Sequence, residues 1–173
     1  DDLFHAHHSM GALYNNTLYR SHLKNRRDRQ TIMLGFSDGT KDGGYLMANW
    51  AIYTAKENLS MVSREEKIEV MFFDGRGGPP ARGGGSTHLF YAAQGKSIEN
   101  TQIQMTVQGQ TISSHYGTRD AAVHNLEQLL GAGLENNLYE NDENSLSKEQ
   151  HDLMDTLALQ SYQKYESFKQ DPL

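Results

Sequence analysis

Two segments of this 173-residue chain gather side chains suited to handling a small anion. The first, Ser37-Asp38-Gly39-Thr40-Lys41-Asp42-Gly43-Gly44, sets a carboxylate, an ammonium and a second carboxylate within five residues. A hard divalent cation takes oxygen ligands, often one or two carboxylates plus waters, so Asp38 at a strand end would suit magnesium beside a substrate phosphate. Lys41 would then neutralise an oxyanion. The plainer alternative is a glycine-rich turn in which Asp38 caps the next helix, and for the motif in isolation that alternative is preferred. An EF-hand calcium loop is excluded, because Lys41 stands where an oxygen ligand is required and no Glu closes the loop.

The second segment runs from Gly75 to Gly85 and holds Arg76 and Arg82 among glycines and Pro79-Pro80. Glycines let backbone amides approach an anion closely, and guanidinium groups match phosphate or carboxylate oxygens with paired hydrogen bonds. Two arginines six residues apart suit a closing lid. A flexible linker and an RNA-binding arginine-glycine segment are the competing readings. RNA is the weaker of these, since two arginines make a shallow charge field and no aromatic is interleaved. His5, His7 and His8 form a third cluster in which His5 and His8 would share a helical face. An exposed helix end accounts for them more simply than a metal site does. His88, His115 and His124 read as ordinary surface or core residues, and spacing supports no Ser/His/Asp triad.

The elements that must position these groups follow from the apolar pattern. Residues 3–25 read as one helix with a basic end at Lys24, Arg26 and Arg27. Thr31 to Phe36 is a short apolar run expected as a strand buried on both faces, broken at Ser37-Asp38-Gly39. Gly44 to Val62 repeats apolar residues at three- and four-residue steps, a broad-faced helix. Ile68 to Phe73 is a second strand, and Asp74 to Gly85 is irregular. Ser86 is placed to cap a short helix through Leu89, Phe90, Ala92 and Ala93. Gln102 to Val107 alternates as a third strand, and Thr118 opens a helix through Leu134. Ser147 with Gln150 makes a capping-box pattern ahead of a long terminal helix. The expected order is α, β, α, β, α, β, α, α.

Strands alternating with helices imply parallel pairing, in a small open α/β domain or in an arc of a larger (β/α) barrel. Three strands cannot close a barrel. In both architectures ligands bind at the carboxyl ends of the strands, where both glycine-rich segments fall. The length allows one domain. A chain opening with Asp1 is expected to be a piece of something larger.

Composition removes several classes. The absence of cysteine excludes a disulfide scaffold and a cysteine-based zinc module. No apolar run long enough to span a membrane is present and no secretory leader is expected, so a cytoplasmic protein with no membrane partner is expected. Residues 1–96 carry a net charge of +2 and residues 97–173 one of −8. Nucleic-acid binders are basic over a whole face, so no nucleic-acid partner is expected.

Met33 to Trp50 (MLGFSDGTKDGGYLMANW), Phe72 to His88 (FFDGRGGPPARGGGSTH) and Met105 to Ile112 (MTVQGQTI) together resemble phosphoenolpyruvate carboxylase in order and approximate spacing. The resemblance covers most of the chain. It implies a helix-rich α/β fold, a partial (β/α)8 TIM-type barrel with a C-terminal helical segment. Residues 30–117 would be the β/α active-site part and 118–173 the helical part of one catalytic-domain fragment. It further implies a carboxylation joining phosphoenolpyruvate and bicarbonate into oxaloacetate and phosphate, through carboxyphosphate and the pyruvate enolate, with Mg2+ or Mn2+. Residue by residue, Asp38 resembles the family's metal-binding aspartate and Lys41 its active-site lysine. Arg76 resembles the arginine that holds the substrate phosphate. Arg82 resembles a second loop arginine implicated in bicarbonate chemistry and in feedback inhibition by aspartate, and Gln108 is placed in the same pocket. The parent is expected to be a homo-oligomer.

Four positions depart from the family pattern: Asp74 where His is usual, Ala81 where Gly is, Ser86 where Pro is common, and Gln110 where Glu is usual. An acid at Asp74 is positioned to pair with Arg76 and weaken its hold on phosphate. The family's other metal carboxylate is expected just upstream of Asp1, so the fragment alone is expected to be inactive. Two other classes stay open: a non-catalytic phosphoanion-binding module, and a structural or oligomerisation fragment using the terminal helix.

Overall fold

Two apolar heptapeptides in parallel register form the centre of the protein: β1 (Arg29–Gly35) and β2 (Glu69–Gly75) pair along their whole length, from Arg29 opposite Glu69 to Gly35 opposite Gly75. A short third strand, β3 (Ile103–Met105), adds in parallel to the other edge of β2, giving the order β1-β2-β3. The computed structural model describes residues 2–76, 85–138 and 146–171, with side chains to residue 134 in the middle stretch. All three described strands end at the same edge of the sheet, as the register Gly35–Gly75 and Asp74–Met105 requires.

The helices are α1 (Asp2–Tyr14), α2 (Thr17–Asn25), α3 (Phe36–Gly43), α4 (Tyr45–Glu65), α5 (Thr87–Ala92), α6 (Gly109–Tyr116), α7 (Arg119–Leu138) and α8 (Lys148–Lys169). α4 lies on the sheet. Ile52, Ala55 and Leu59, at three- and four-residue steps, pack on Leu34, Val70 and Phe72 together with Phe36 and Ile98. Each large aliphatic side chain so removed from water contributes roughly 1.5–3 kcal/mol before conformational entropy is set against it. α1 covers α4, and Tyr14 joins Leu23 and Ile68 in a second small cluster, its hydroxyl 3.1 Å from Ser63 Oγ.

The α/β, helix-rich class stands, and the parallel pairing stands with it. Several elements differ from the sequence reading. The helix expected over 3–25 is two helices, because the Asn16 side chain accepts hydrogen bonds from the amides of Leu18 and Tyr19 and restarts the chain as α2. β1 is not buried on both faces: Met33 is 62% exposed at this edge strand. The segment after β1 is helical, not a turn, and α3 passes into α4 through Gly44 at φ +79. Any Cβ at Gly44 would also lie 3.0 Å from Tyr165, so conformation and packing both require glycine there. β3 is shorter than expected, and α6 follows it where no helix was foreseen. The capping box of Ser147 and Gln150 forms as read. Among the described residues no helix is long and apolar enough to cross a membrane.

Candidate active site

β2 alternates its side chains with period two, and Val70, Phe72, Asp74 and Arg76 fall on the buried side in succession. The alternation carries two ionisable groups inward at the strand's carboxyl end. Asp74 is 1% exposed and meets Lys56, which projects from the apolar face of α4, one turn after Ile52. Lys56 Nζ donates to Asp74 Oδ2 at 2.7 Å, and the Tyr91 hydroxyl of α5 donates to the same oxygen at 2.8 Å. The ammonium sits over the rings of Phe72, Phe90 and Tyr91 at 5.1–5.6 Å, within the range of a cation–π contact. Burial draws the Lys56 ammonium below the ordinary lysine value, and Asp74 opposes that pull. Burial, then the Asp74 charge, pushes the Tyr91 hydroxyl well above the ordinary tyrosine range, which keeps it a donor.

Arg76 is 8% exposed, with its guanidinium carbon 4.3 Å from the centre of the Phe90 ring. Burial lowers its pKa, and Tyr91, Tyr45 and Asp74 act in the opposite sense. Asp74 Oδ2 is hydrogen-bonded by Lys56 and Tyr91, while the charge of the same carboxylate also favours the charged form of Arg76. Sequence reasoning passed over Lys56, Phe90 and Tyr91. One signal was available, a lysine at a core position of an apolar helix face, which in a folded chain requires a carboxylate partner.

Arg76 opens onto a cleft of about 620 Å³ between the strand ends and the helices α6 and α7. Gln108, the N-cap residue of α6, lines it with the first turn of that helix, and His115, His124 and Asn125 line it as well. Its described lining includes Arg76 and no Asp or Glu. The start of α6 adds the partial positive charge of unsatisfied amides. In a chain of net charge −6, a pocket with no acid among its described lining residues suits an anion. The structure thus brings Arg76 and Gln108 together, along with histidines that the sequence had suggested were ordinary.

Asp38 and Lys41 lie on α3, beyond the neighbouring strand end, and do not line this cleft. They pair at 3.3 Å across one helical turn, with side chains 91% and 60% exposed. An open carboxylate of this kind fits one ligand position of a hydrated hard cation, which tolerates a single protein carboxylate. Among the described residues no group of three or more His, Cys, Asp or Glu could hold a metal, so further ligands would have to come from water, substrate or other residues. The histidines of α1 do not make such a group either; the His7 and His8 rings lie 4.0 Å apart, tilted by 39°, and burial and its neighbours lower the His7 pKa. Arg82 and Ala81 lie outside the described residues.

Comparison with known proteins places these features in context. A family model described as phosphoenolpyruvate carboxylase matches residues 1–172. The chain is 38% identical over 172 residues to a phosphoenolpyruvate carboxylase of Corynebacterium diphtheriae, covering 99% of this chain and 19% of that protein. The figures for that of Corynebacterium efficiens are 38% over 173 residues, with the same coverage. A phosphoenolpyruvate carboxylase of Corynebacterium glutamicum is 39% identical over 158 residues, 91% of this chain and 17% of that protein. The chain spans about a fifth of the length of the curated relatives it matches.

Proposed function

Given that the chain belongs to the phosphoenolpyruvate carboxylase family, we propose that the polypeptide carrying it joins phosphoenolpyruvate and bicarbonate into oxaloacetate and phosphate, and that these residues form part of its active site. In this reading the described sheet is an arc of a (β/α)8 barrel whose other strands lie elsewhere in the polypeptide. Parallel strands in sequential order with helices between them support it. Residues 30–117 carry the active-site part and 118–173 the helical part, with His124 and Asn125 reaching back into the cleft.

The observation that carries the reading is the buried Arg76 at a strand end, facing a cleft whose described lining holds no Asp or Glu. A fixed guanidinium in a site of low dielectric holds a phosphate and stabilises charge as the phosphoryl group moves to bicarbonate. Gln108 offers an amide to the same anion. Arg82 supplies a second guanidinium and is the candidate contact for an aspartate-type inhibitor. Lys41 neutralises charge developing on the enolate oxygen. Asp38 is a carboxylate ligand for Mg2+ or Mn2+, which when bound would act as a Lewis acid toward phosphoryl and enolate oxygens. The remaining ligands and catalytic groups come from outside these residues, and the fragment by itself is inactive.

The test is metal-dependent oxaloacetate formation by the full-length polypeptide that carries these residues. Truncating a buried charge that binds an oppositely charged partner costs about 2–5 kcal/mol, so Arg76→Ala should raise the KM for phosphoenolpyruvate roughly 30-fold or more. A wild-type KM in that variant would remove Arg76 from the substrate site. No oxaloacetate from the unaltered polypeptide, with phosphate binding retained, would select the non-catalytic phosphoanion-binding reading.

A further inference from the structure

Arginine has a long, rotamer-rich side chain, and a guanidinium that must meet a phosphate in one geometry needs something to hold it. The side chain over which Arg76 lies is Phe90, in α5. α5 has six residues, and its N-cap Ser86 makes no side-chain bond to the helix amides. So short a helix has little stability of its own, and its position is set by what it packs against. Tyr91, next to Phe90, sends its hydroxyl 2.8 Å to Asp74 on β2, two residues before Arg76. Phe90 is further wedged edge-on between Phe36 (5.5 Å) and Tyr91 (5.0 Å).

We propose that Tyr91 and Phe90 are positioning residues for Arg76: the Tyr91–Asp74 hydrogen bond, with Asp74 itself held by Lys56, docks α5 on the end of β2 and lays the Phe90 ring against the guanidinium. The anchor and the arginine belong to the same strand end, so displacement of α5 is felt directly at the substrate cation. Burial keeps the Tyr91 hydroxyl protonated, and so a donor, across the range in which an enzyme works. The proposal rests on the reading of Arg76 as the residue that binds the phosphate of phosphoenolpyruvate, and deepens it.

The experiment is a pair of double-mutant cycles in the full-length polypeptide, with Tyr91→Phe and Phe90→Leu each made with Arg76 present and with Arg76→Ala. The readouts are KM and kcat for carboxylation, inhibition by inorganic phosphate, and the melting temperature. With Arg76 present, each variant should raise the KM for phosphoenolpyruvate about 3- to 30-fold and weaken phosphate inhibition in parallel, with a smaller change in kcat. With Arg76→Ala the same substitutions should change KM less than about 2-fold, because the group they position is gone. Lowered melting temperature with unchanged KM would show a purely structural role and overturn the proposal. Equal KM increases with and without Arg76 would overturn it too, while leaving the role of Arg76 intact. An Arg76→Ala enzyme with wild-type KM and phosphate inhibition would overturn both. Tyr91→Phe keeps the ring and removes only the hydroxyl, so it decides the matter alone if Phe90→Leu does not accumulate.

Discussion

The two segments that carry candidate chemistry are held in opposite ways. Arg76 is held through its side chain, largely buried against the Phe90 ring beside a buried Lys56–Asp74–Tyr91 cluster. Asp38 and Lys41 are held through their backbone, with both side chains in water. The last carbonyls of α3 accept from α8: Lys41 O from the Tyr165 hydroxyl at 2.8 Å, and Asp42 O from Lys169 Nζ at 3.2 Å. The difference suits the two tasks. A guanidinium that must meet a phosphate gains from fixed geometry and low dielectric, whereas a carboxylate that ligates a hydrated cation must stay open to water.

The contrast is broken most sharply by separating activity from stability. Asp38→Ala in the full-length polypeptide should abolish metal-dependent oxaloacetate formation, yet move the unfolding free energy by no more than about 0.5 kcal/mol, since an exposed ion pair contributes little. Activity with and without Mg2+, set beside a denaturant titration, checks both halves. Retained metal-dependent turnover would sink the assignment of Asp38; a large loss of stability would sink the claim that its side chain is only solvated.

Lys56→Met should behave in the opposite sense. It leaves the Asp74 carboxylate buried without its cation, and breaking a buried pair from one side costs about 3–5 kcal/mol. The cost is large because Asp74 Oδ1 has no hydrogen-bond partner among the described residues, so that among them the Tyr91 hydroxyl would remain as the donor to the carboxylate. Replacing both members, Lys56→Met with Asp74→Leu, should recover part of that loss, because the apolar pair itself needs no compensation while the Tyr91 hydroxyl loses its bond to Asp74. A Lys56→Met protein as stable as the wild type would show that the pair does not hold the strand end.

Legibility in the sequence follows the same division. Motifs defined by local backbone chemistry were readable: the capping box at Ser147, the cap at Thr118, the two strands flanking α4, and the placement of both glycine-rich segments after strand ends. Arg76, Gln108, Asp38 and Lys41 were named as candidates from residue type and resemblance. What was not readable depended on contacts between distant elements. Lys56 and Asp74 are 18 residues apart, and only the packing of α4 on β2 shows that the acid is hydrogen-bonded to the lysine. Ser37 to Gly43 reads as a turn because its glycines and polar residues have weak helical propensity. Its helix is capped from outside by α8, 124 residues further on at the Tyr165 contact. The break at Asn16 was legible in principle, since an Asn ahead of Thr17 is a good N-cap, but the apolar spacing on either side obscured it.

The backbone clamp supplies the finest test of the comparison. Tyr165→Phe removes the hydrogen bond to Lys41 O and leaves the ring against Gly44, so the loss should be about 1 kcal/mol, near the net worth of one such bond. Because the bond ends on the carbonyl of the residue bearing the candidate catalytic ammonium, the loss should also appear in function. The apparent affinity for the activating metal and kcat should each fall modestly, while the KM for phosphoenolpyruvate, set by Arg76, should stay within about 2-fold. Hydrogen exchange at the amides of α3 should accelerate in the variant and that of β2 should not, since local opening follows the contacts that are lost. A KM increase matching that of Tyr91→Phe would mean that the two segments are positioned as one unit, and the division between a side-chain-held arginine and a backbone-held carboxylate would have to be given up.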